Sequence, residues 1–376
     1  MKPRVVLFLS RGVPLAKWDK IGLFEREVAL YRRLQVDADI SIVSSGNQQE
    51  LAYTDSLEGM QILYNRWRIP TNMYSLLAPV LHWNDLRQAD LYKTNQLDGA
   101  WTAVLAAKLH RKPLVVRAGY LWAENFTRQQ GVSGKSRLID RLQRFALRHA
   151  THIVVTTPAM KDSLADRYTV PRQKMSVIPN YVDTVQFGPD TTTMRENGRL
   201  CFIGRLKQVK NLDMLIDALA PLTQAHLVLI GQGEEQAKLT QLAAQRDVSV
   251  EFVGLLPHDQ LPDQLNRSAL FVLPSKFEGH PKALIEAMAC GMAVLGADVE
   301  GIREVIRHGE TGWLCPPTVA GLREAIQTLL SDAALRQRLG KNARQFVLDH
   351  FSLDRIVEQE MALYRHLLAE RPSLQI

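Results

Sequence analysis

Phe277-Glu278-Gly279-His280-Pro281-Lys282-Ala283-Leu284-Ile285-Glu286-Ala287-Met288-Ala289-Cys290-Gly291 sets two carboxylates eight residues apart around a strand-to-helix turn. The apolar run Ala269–Leu273 ahead of it has strand length, and Pro274, Ser275, Gly279 and Pro281 break the chain before a helix-forming stretch opens. Pro281 suits the first helical turn, where the N–H that proline lacks would be unpaired in any case. Glu278 then falls in the loop at the carboxyl end of a strand, and Glu286 two turns down the following helix. The free N–H groups and positive dipole end of that helix suit phosphate. Carboxylates accept hydrogen bonds from hydroxyls, so the geometry fits a polyhydroxylated ligand carrying a diphosphate. The residues alone leave a second reading open, in which Glu278 caps the helix and Glu286 is a solvated surface residue.

Working outward, strand-like runs alternate with helical patterns through both halves. Val5–Leu9, Ile40–Val43, Gln61–Tyr64, Leu91–Lys93, Leu114–Arg117, Ile153–Thr156 and Ser176–Ile178 form the first series. Leu200–Ile203, His226–Ile230, Val250–Val253, Leu270–Leu273 and Val294–Leu295 form the second, with helices expected near 212–220, 234–245, 257–267, 281–290 and 319–330. Such alternation predicts α/β domains with parallel sheets covered on both faces. Asn180–Asn197, with Gly188, Pro189 and a threonine run, breaks periodicity and reads as the interdomain linker. A final amphipathic pattern covers about 352–370.

The 376 residues suffice for about two domains. No segment approaches the ~20 apolar residues that span a bilayer. The basic, apolar start Met1–Ser10 is too short in its apolar part for a signal peptide and meets Arg11 where a small-residue cleavage site is needed, so a buried first strand is expected. Cys201, Cys290 and Cys315 are isolated, which argues against disulfides or zinc and makes the cytosol the expected compartment. Charge is uneven: residues 1–187 hold 26 Lys and Arg against 16 Asp and Glu, net +10, and residues 188–376 hold 20 against 23, net −3. A basic first half fits an anionic membrane or substrate; without an RNA- or DNA-binding module, nucleic acid is not an expected partner. Gly231-Gln232-Gly233 lacks the third glycine of a dinucleotide fingerprint, and no G-x-x-x-x-G-K-S/T pattern occurs.

The opening stretch resembles the E-x7-E signature of retaining glycosyltransferases of the GT-B fold, specifically glycosyltransferase family 4. Ile203-Gly204-Arg205-Leu206 with Lys210-Asn211, Ile230-Gly231-Gln232-Gly233-Glu234, Gly301-Ile302-Arg303-Glu304 and Gly309-Glu310-Thr311-Gly312 follow that family's order. The resemblance covers about residues 199–355 strongly and the first half in outline. It implies two doubly wound Rossmann-like domains facing a central cleft: an acceptor-binding domain at 1–187, a nucleotide-sugar domain at 188–355, and a helix at 356–376 that packs back on the first. By the same resemblance Arg205 and Lys210 hold the diphosphate, Glu278 meets sugar hydroxyls and Glu286 the ribose. Gly204, Gly233 and the run Gly279, His280, Pro281, Lys282 and Ala283 line the donor, the His280 side chain incidentally.

The first half departs from the family pattern. Ser10-Arg11-Gly12 and Ile21-Gly22 stand where a paired-glycine loop is common, and Val116-Arg117-Ala118-Gly119 lacks the mid-domain histidine. Gly12, Gly22, Arg117 and Gly119 are the acceptor-side candidates, Arg117 equally readable as part of a structural ion pair. The implied reaction is retaining transfer of a sugar from a UDP- or GDP-linked donor to a hydroxyl of a glycan or glycolipid. It calls for no metal and no cofactor, the nucleotide-sugar being substrate, and cell-surface polysaccharide or lipopolysaccharide synthesis is the expected setting. Another GT-B activity, such as an epimerase or a glucan or sucrose synthase, and a non-catalytic nucleotide-sugar binder are the alternatives. Arg137, Arg141, Arg144 and Arg148, opposite Leu138, Leu142 and Phe145, make a basic amphipathic helix. The segment Tyr64–Trp83 adds residue types that favour lipid headgroups. Together they resemble a peripheral surface for anionic membrane and a lipid-linked acceptor, with a helix packed on the sheet and its arginines solvated as the other reading.

Overall fold

The computed structural model describes residues 2–370. Its contacts divide the chain into two units, one running to Pro179 and resuming at Ile356, the other spanning Asn180–Arg355.

The first unit holds seven strands: β1 (Arg4–Phe8), β2 (Asp39–Val43), β3 (Gln61–Leu63), β4 (Leu91–Thr94), β5 (Leu114–Ala118), β6 (His152–Val155) and β7 (Met175–Val177). They pair in parallel in the order β3-β2-β1-β4-β5-β6-β7. The second holds β8 (Glu196–Ile203), β9 (His226–Ile230), β10 (Ser249–Gly254), β11 (Ser268–Leu273), β12 (Ala293–Ala297) and β13 (Trp313–Cys315), parallel in the order β10-β9-β8-β11-β12-β13. Both are doubly wound sheets of the Rossmann kind, and their central strands are buried along their length, as continuous Val, Ile and Leu runs require.

Every strand of the two expected series is present. β13 went unread because three residues beside Gly312 carry no period. The helix Ala333–His350 was also missed: Asp332 starts it by accepting from Leu335 N–H at 2.8 Å, one residue after the helix Val319–Ser331 ends. Arg336 closes the earlier helix by donating to the Leu329 and Leu330 carbonyls.

Two expectations change. Asn180–Asn197 is not a free linker: Tyr181, Val182 and Phe187 are buried, Val182 exchanges backbone hydrogen bonds with Phe351 and Leu353, and β8 already begins at Glu196. Its turn-forming residues disguise isolated apolar anchors. The helix Gly134–His149 turns Ile139, Gln143, Ala146 and Leu147 inward, while Leu138 stays exposed with Arg137, Arg141, Arg144 and Arg148. The buried face is therefore centred one position on from the expected stripe: Leu138 is exposed, Leu142 is half-buried, and Phe145 packs on the margin of the core.

The helix Leu353–Ala369 carries the chain back into the first unit. There Glu360 Oε1 lies 2.6 Å from Lys93 Nζ, both side chains 0% exposed, with Arg117 Nη1 at 3.8 Å. Burial works against ionisation of Glu360, but Lys93 and Arg117 outweigh it and hold its carboxyl below the usual range. Burial lowers Lys93 from the ordinary lysine value, with Glu360 opposing. Breaking one side of such a pair leaves a buried charge uncompensated. Lys93→Met should cost about 3–5 kcal/mol of stability, and Glu360→Leu, which removes the shared partner of Lys93 and Arg117, should cost at least as much, both read from urea unfolding.

Candidate functional site

β8 and β11 are neighbours in the sheet while β9 and β10 intervene in sequence on the far side of β8, so their carboxyl ends form the switch point of the second sheet. β8 delivers Gly204–Leu206 and the turn Gln208–Lys210, β9 the Gly231–Glu235 turn, and β11 the loop Pro274–Pro281 leading into the helix Lys282–Ala289.

Backbone contacts lock these loops together. Gly231 has φ +135°, and a Cβ there would lie 2.0 Å from the Gly204 carbonyl oxygen, so only glycine permits the approach. Gly233, in the same turn, abuts Leu206, whose N–H donates to the Gln232 carbonyl at 3.0 Å. Lys276 N–H donates to the Val209 carbonyl at 2.9 Å, and Asn211 Nδ2 to the Pro274 carbonyl at 3.2 Å.

This framework brings Lys210 and Glu278 together. Nζ stands 2.5 Å from Oε1, and the Ser275 hydroxyl donates to the same oxygen at 2.6 Å. The pair is only partly sheltered, 20% and 12% exposed. Arg205 stands on the same edge, exposed, and enters no ion pair among the described residues. Glu278 does not cap the helix. Pro281 is the N-cap, no side chain caps the first turn, and no acidic residue occupies it. The positive end of that helix therefore follows directly on the loop that carries Glu278.

Glu286 is buried, not a solvated surface residue, and its Oε1 lies 3.0 Å from His258 Nε2. His280 is buried against the Phe351 ring, its carbonyl accepting from Asn180 Nδ2 at 2.6 Å, so its side chain belongs to the packing. Pro281 is buried too, Gly279 and Ala283 are half-buried, and the Lys282 ammonium lies 5.3 Å from the centre of the Tyr181 ring. Cysteine chemistry is absent from this edge: burial pushes the Cys201, Cys290 and Cys315 thiols up to about 12.

In the first unit the switch point lies between β1 and β4. Gly12 follows β1 at φ +66°, and Gly119 N–H, after β5, donates to Gln96 Oε1 at 3.0 Å. Arg11 and Asp98 meet there at 3.7 Å, burial raising the Asp98 carboxyl while Arg11 opposes. Gly22 sits instead beyond the helix Leu15–Lys20, its N–H on the Asp19 carbonyl. Arg117 is buried toward Glu360, the structural reading of that residue. The sequence marks Ser275 only as a turn residue, three residues before Glu278, and does not mark His258 at all.

Gly301, at φ +82°, holds the Glu278 loop in place, since a Cβ on it would lie 2.2 Å from the Glu278 carbonyl oxygen. Gly301→Ala should lower stability by about 1–3 kcal/mol and displace that loop. Gly309→Ala, at φ +73° with nothing within 4 Å of its Cβ, should cost less, and urea unfolding of both variants checks the order.

Comparison with known proteins adds family context to this geometry. The family model described as Glycosyl transferases group 1 matches residues 192–346, and that described as Glycosyltransferase Family 4 matches residues 29–186. N-acetyl-alpha-D-glucosaminyl L-malate synthase of Bacillus anthracis is 29% identical over 252 residues, 64% of this chain and 66% of that protein. Glycogen synthase of Mycobacterium tuberculosis is 29% identical over 287 residues, 73% and 68% of the two chains. The match thus spans about two thirds of the length of these curated relatives. Among solved structures, Anabaena HepE in complex with UDP and glucose superposes with a TM-score of 0.77 at 21% identity, covering 96% of this chain and 99% of that one, a likeness of fold.

Proposed function

The chain belongs to the group 1 glycosyltransferases of family 4, with the GT-B type of fold, and we propose that it transfers a sugar from a UDP- or GDP-linked donor to a hydroxyl of a glycan or glycolipid with retention at the anomeric carbon. The Lys210–Glu278 contact just ahead of the helix start at Lys282 carries this reading: a cation, a carboxylate and the positive end of a helix follow one another where a sugar diphosphate needs all three. Arg205 and Lys210 take the diphosphate and offset charge on the leaving nucleotide. Glu278 exchanges its hold on Lys210 for sugar hydroxyls, Glu286 receives the ribose, and Gly204, Gly233 and the backbone from Gly279 to Ala283 line the donor. Departure of the diphosphate and same-face attack by the acceptor need no metal and no cofactor in this scheme. The UDP bound to Anabaena HepE supports a nucleotide donor for a domain of this shape.

The acceptor side is read as facing a membrane from the cytoplasm, in polysaccharide or lipopolysaccharide synthesis. No helix among the described residues is long and apolar enough to cross a bilayer, so the contact in this reading is peripheral. The helix Thr71–Leu81 supports it, exposing Met73, Leu76, Leu77 and Val80 along one face, with Trp67 and Trp83 exposed beyond its two ends. The Arg66 guanidinium lies 4.5 Å from the centre of the Trp67 ring. Apolar area sinks into the interface while the cations meet anionic headgroups.

Lys210→Ala or Arg205→Ala should lower turnover about 100-fold or more, as removal of one electrostatic stabiliser does, with unfolding little changed. Near-normal rates with every accepted donor would refute the clamp. Glu278→Gln should keep nucleoside diphosphate binding and lose discrimination for the intact donor. Calorimetric titration of both ligands checks it, and equal losses would remove the sugar role. Changing Met73, Leu76, Leu77 and Val80 to serine should abolish sedimentation with anionic liposomes. Unaltered sedimentation, or none by the wild type at low salt, would leave the face without a membrane role.

A further inference from the structure

The inference concerns His258 and rests on the reading of Glu286 as the ribose carboxylate. Glu286 lies on the inner side of the helix Lys282–Ala289 with its side chain 2% exposed, and a carboxylate so sheltered needs a fixed donor. His258 Nε2 supplies one at 3.0 Å. A carboxylate that takes ribose hydroxyls is ionised and only accepts, so in this reading Nε2 is the donor of the pair. The imidazole is itself held: its side chain is 8% exposed and its ring centre lies 4.9 Å from that of the fully buried Phe187. It enters from the turn His258–Gln260, which follows the edge strand β10, whereas Glu286 comes from the helix after β11.

A ribose presents two adjacent hydroxyls, and one carboxylate receives both only in one rotation of its plane. We propose that His258 is a positioning residue that fixes this rotation by holding Oε1, so that nucleotide affinity depends on the turn after β10 as well as on the E-x7-E helix. His258 touches no reacting atom in this scheme. Its loss lowers affinity for the nucleotide and leaves the chemical step at saturating donor unchanged. A purely structural histidine would lower the melting temperature without altering the affinity of the molecules that remain folded.

Calorimetric titration with UDP and with GDP tests this on the full chain. His258→Ala should weaken the nucleotide that binds about 10-fold, with kcat at saturating donor within about twofold of wild type. His258→Gln, whose side-chain amide still donates, should recover much of the affinity. The double variant His258→Ala with Glu286→Gln should bind no more weakly than Glu286→Gln alone, because both changes remove one coupled unit. Unaltered affinity in His258→Ala, or losses that add in the double variant, would overturn the proposal while leaving Glu286 at the ribose. If Glu286→Gln bound as wild type while Lys210→Ala did not, the ribose reading would fall, and this inference with it. Absence of both UDP and GDP binding in the wild type would do the same.

Discussion

Parallel pairing obliges every strand of a sheet to release its following loop at the same edge, and the site of the second unit depends on that constraint. β8, β9 and β11 release the segments starting at Gly204, Gly231 and Pro274 side by side, although about seventy residues separate the first from the last. The loops then approach more closely than side chains allow. Gly231 against the Gly204 carbonyl and Gly301 against the Glu278 carbonyl are contacts of bare backbone. The result is a rigid edge, on which a lysine from one loop meets a glutamate from another without either being placed by its neighbours in sequence.

Two lysine–glutamate pairs in this chain show how burial separates structure from chemistry. Lys93 and Glu360 are wholly excluded from water, and the attraction between them must offset a desolvation cost of several kcal/mol per ion. Such a pair cannot open without leaving a charge stranded. It serves to hold the returning helix on the first sheet. Lys210 and Glu278 have similar geometry but remain partly open to water, where separating them costs far less. They are able to give up one another for a ligand that brings its own phosphates and hydroxyls.

Helix faces show the same division. The helix Gly134–His149 spends its inner face on Ile139, Ala146 and Leu147 and leaves arginines in solvent, an ordinary arrangement on a sheet. The helix Thr71–Leu81 does the reverse, burying Tyr74, Ser75 and Ala78 while Met73, Leu76, Leu77 and Val80 stay outside. Tyr74 explains part of this: its hydroxyl meets His82 Nε2 at 2.8 Å inside, so a polar anchor sets the helix rotation and the aliphatic side chains are left to the surface. Burial also pushes His82 down to about 4, which keeps it neutral in that contact near pH 7.

By itself the sequence determined the alternation of strands and helices, the two sheets, and the strand-to-helix turn that carries Glu278 and Glu286, because each is written in local period and local turn chemistry. Residues at spacing 2 or 3.6 disclose an element wherever it lies in the fold, and Pro and Gly disclose its ends. Only the tertiary structure decided that Lys210 grips Glu278, that Arg117 turns to Glu360, that His258 holds Glu286, and that Asn180 to Asn197 packs on the second unit. These contacts join residues 28 to 243 positions apart, and the sheet order that brings them together leaves no mark at either end. Rotation of a helix about its axis was likewise decided by packing. Period predicts that a face is buried, but the shape and polar anchors of what lies beneath choose which one.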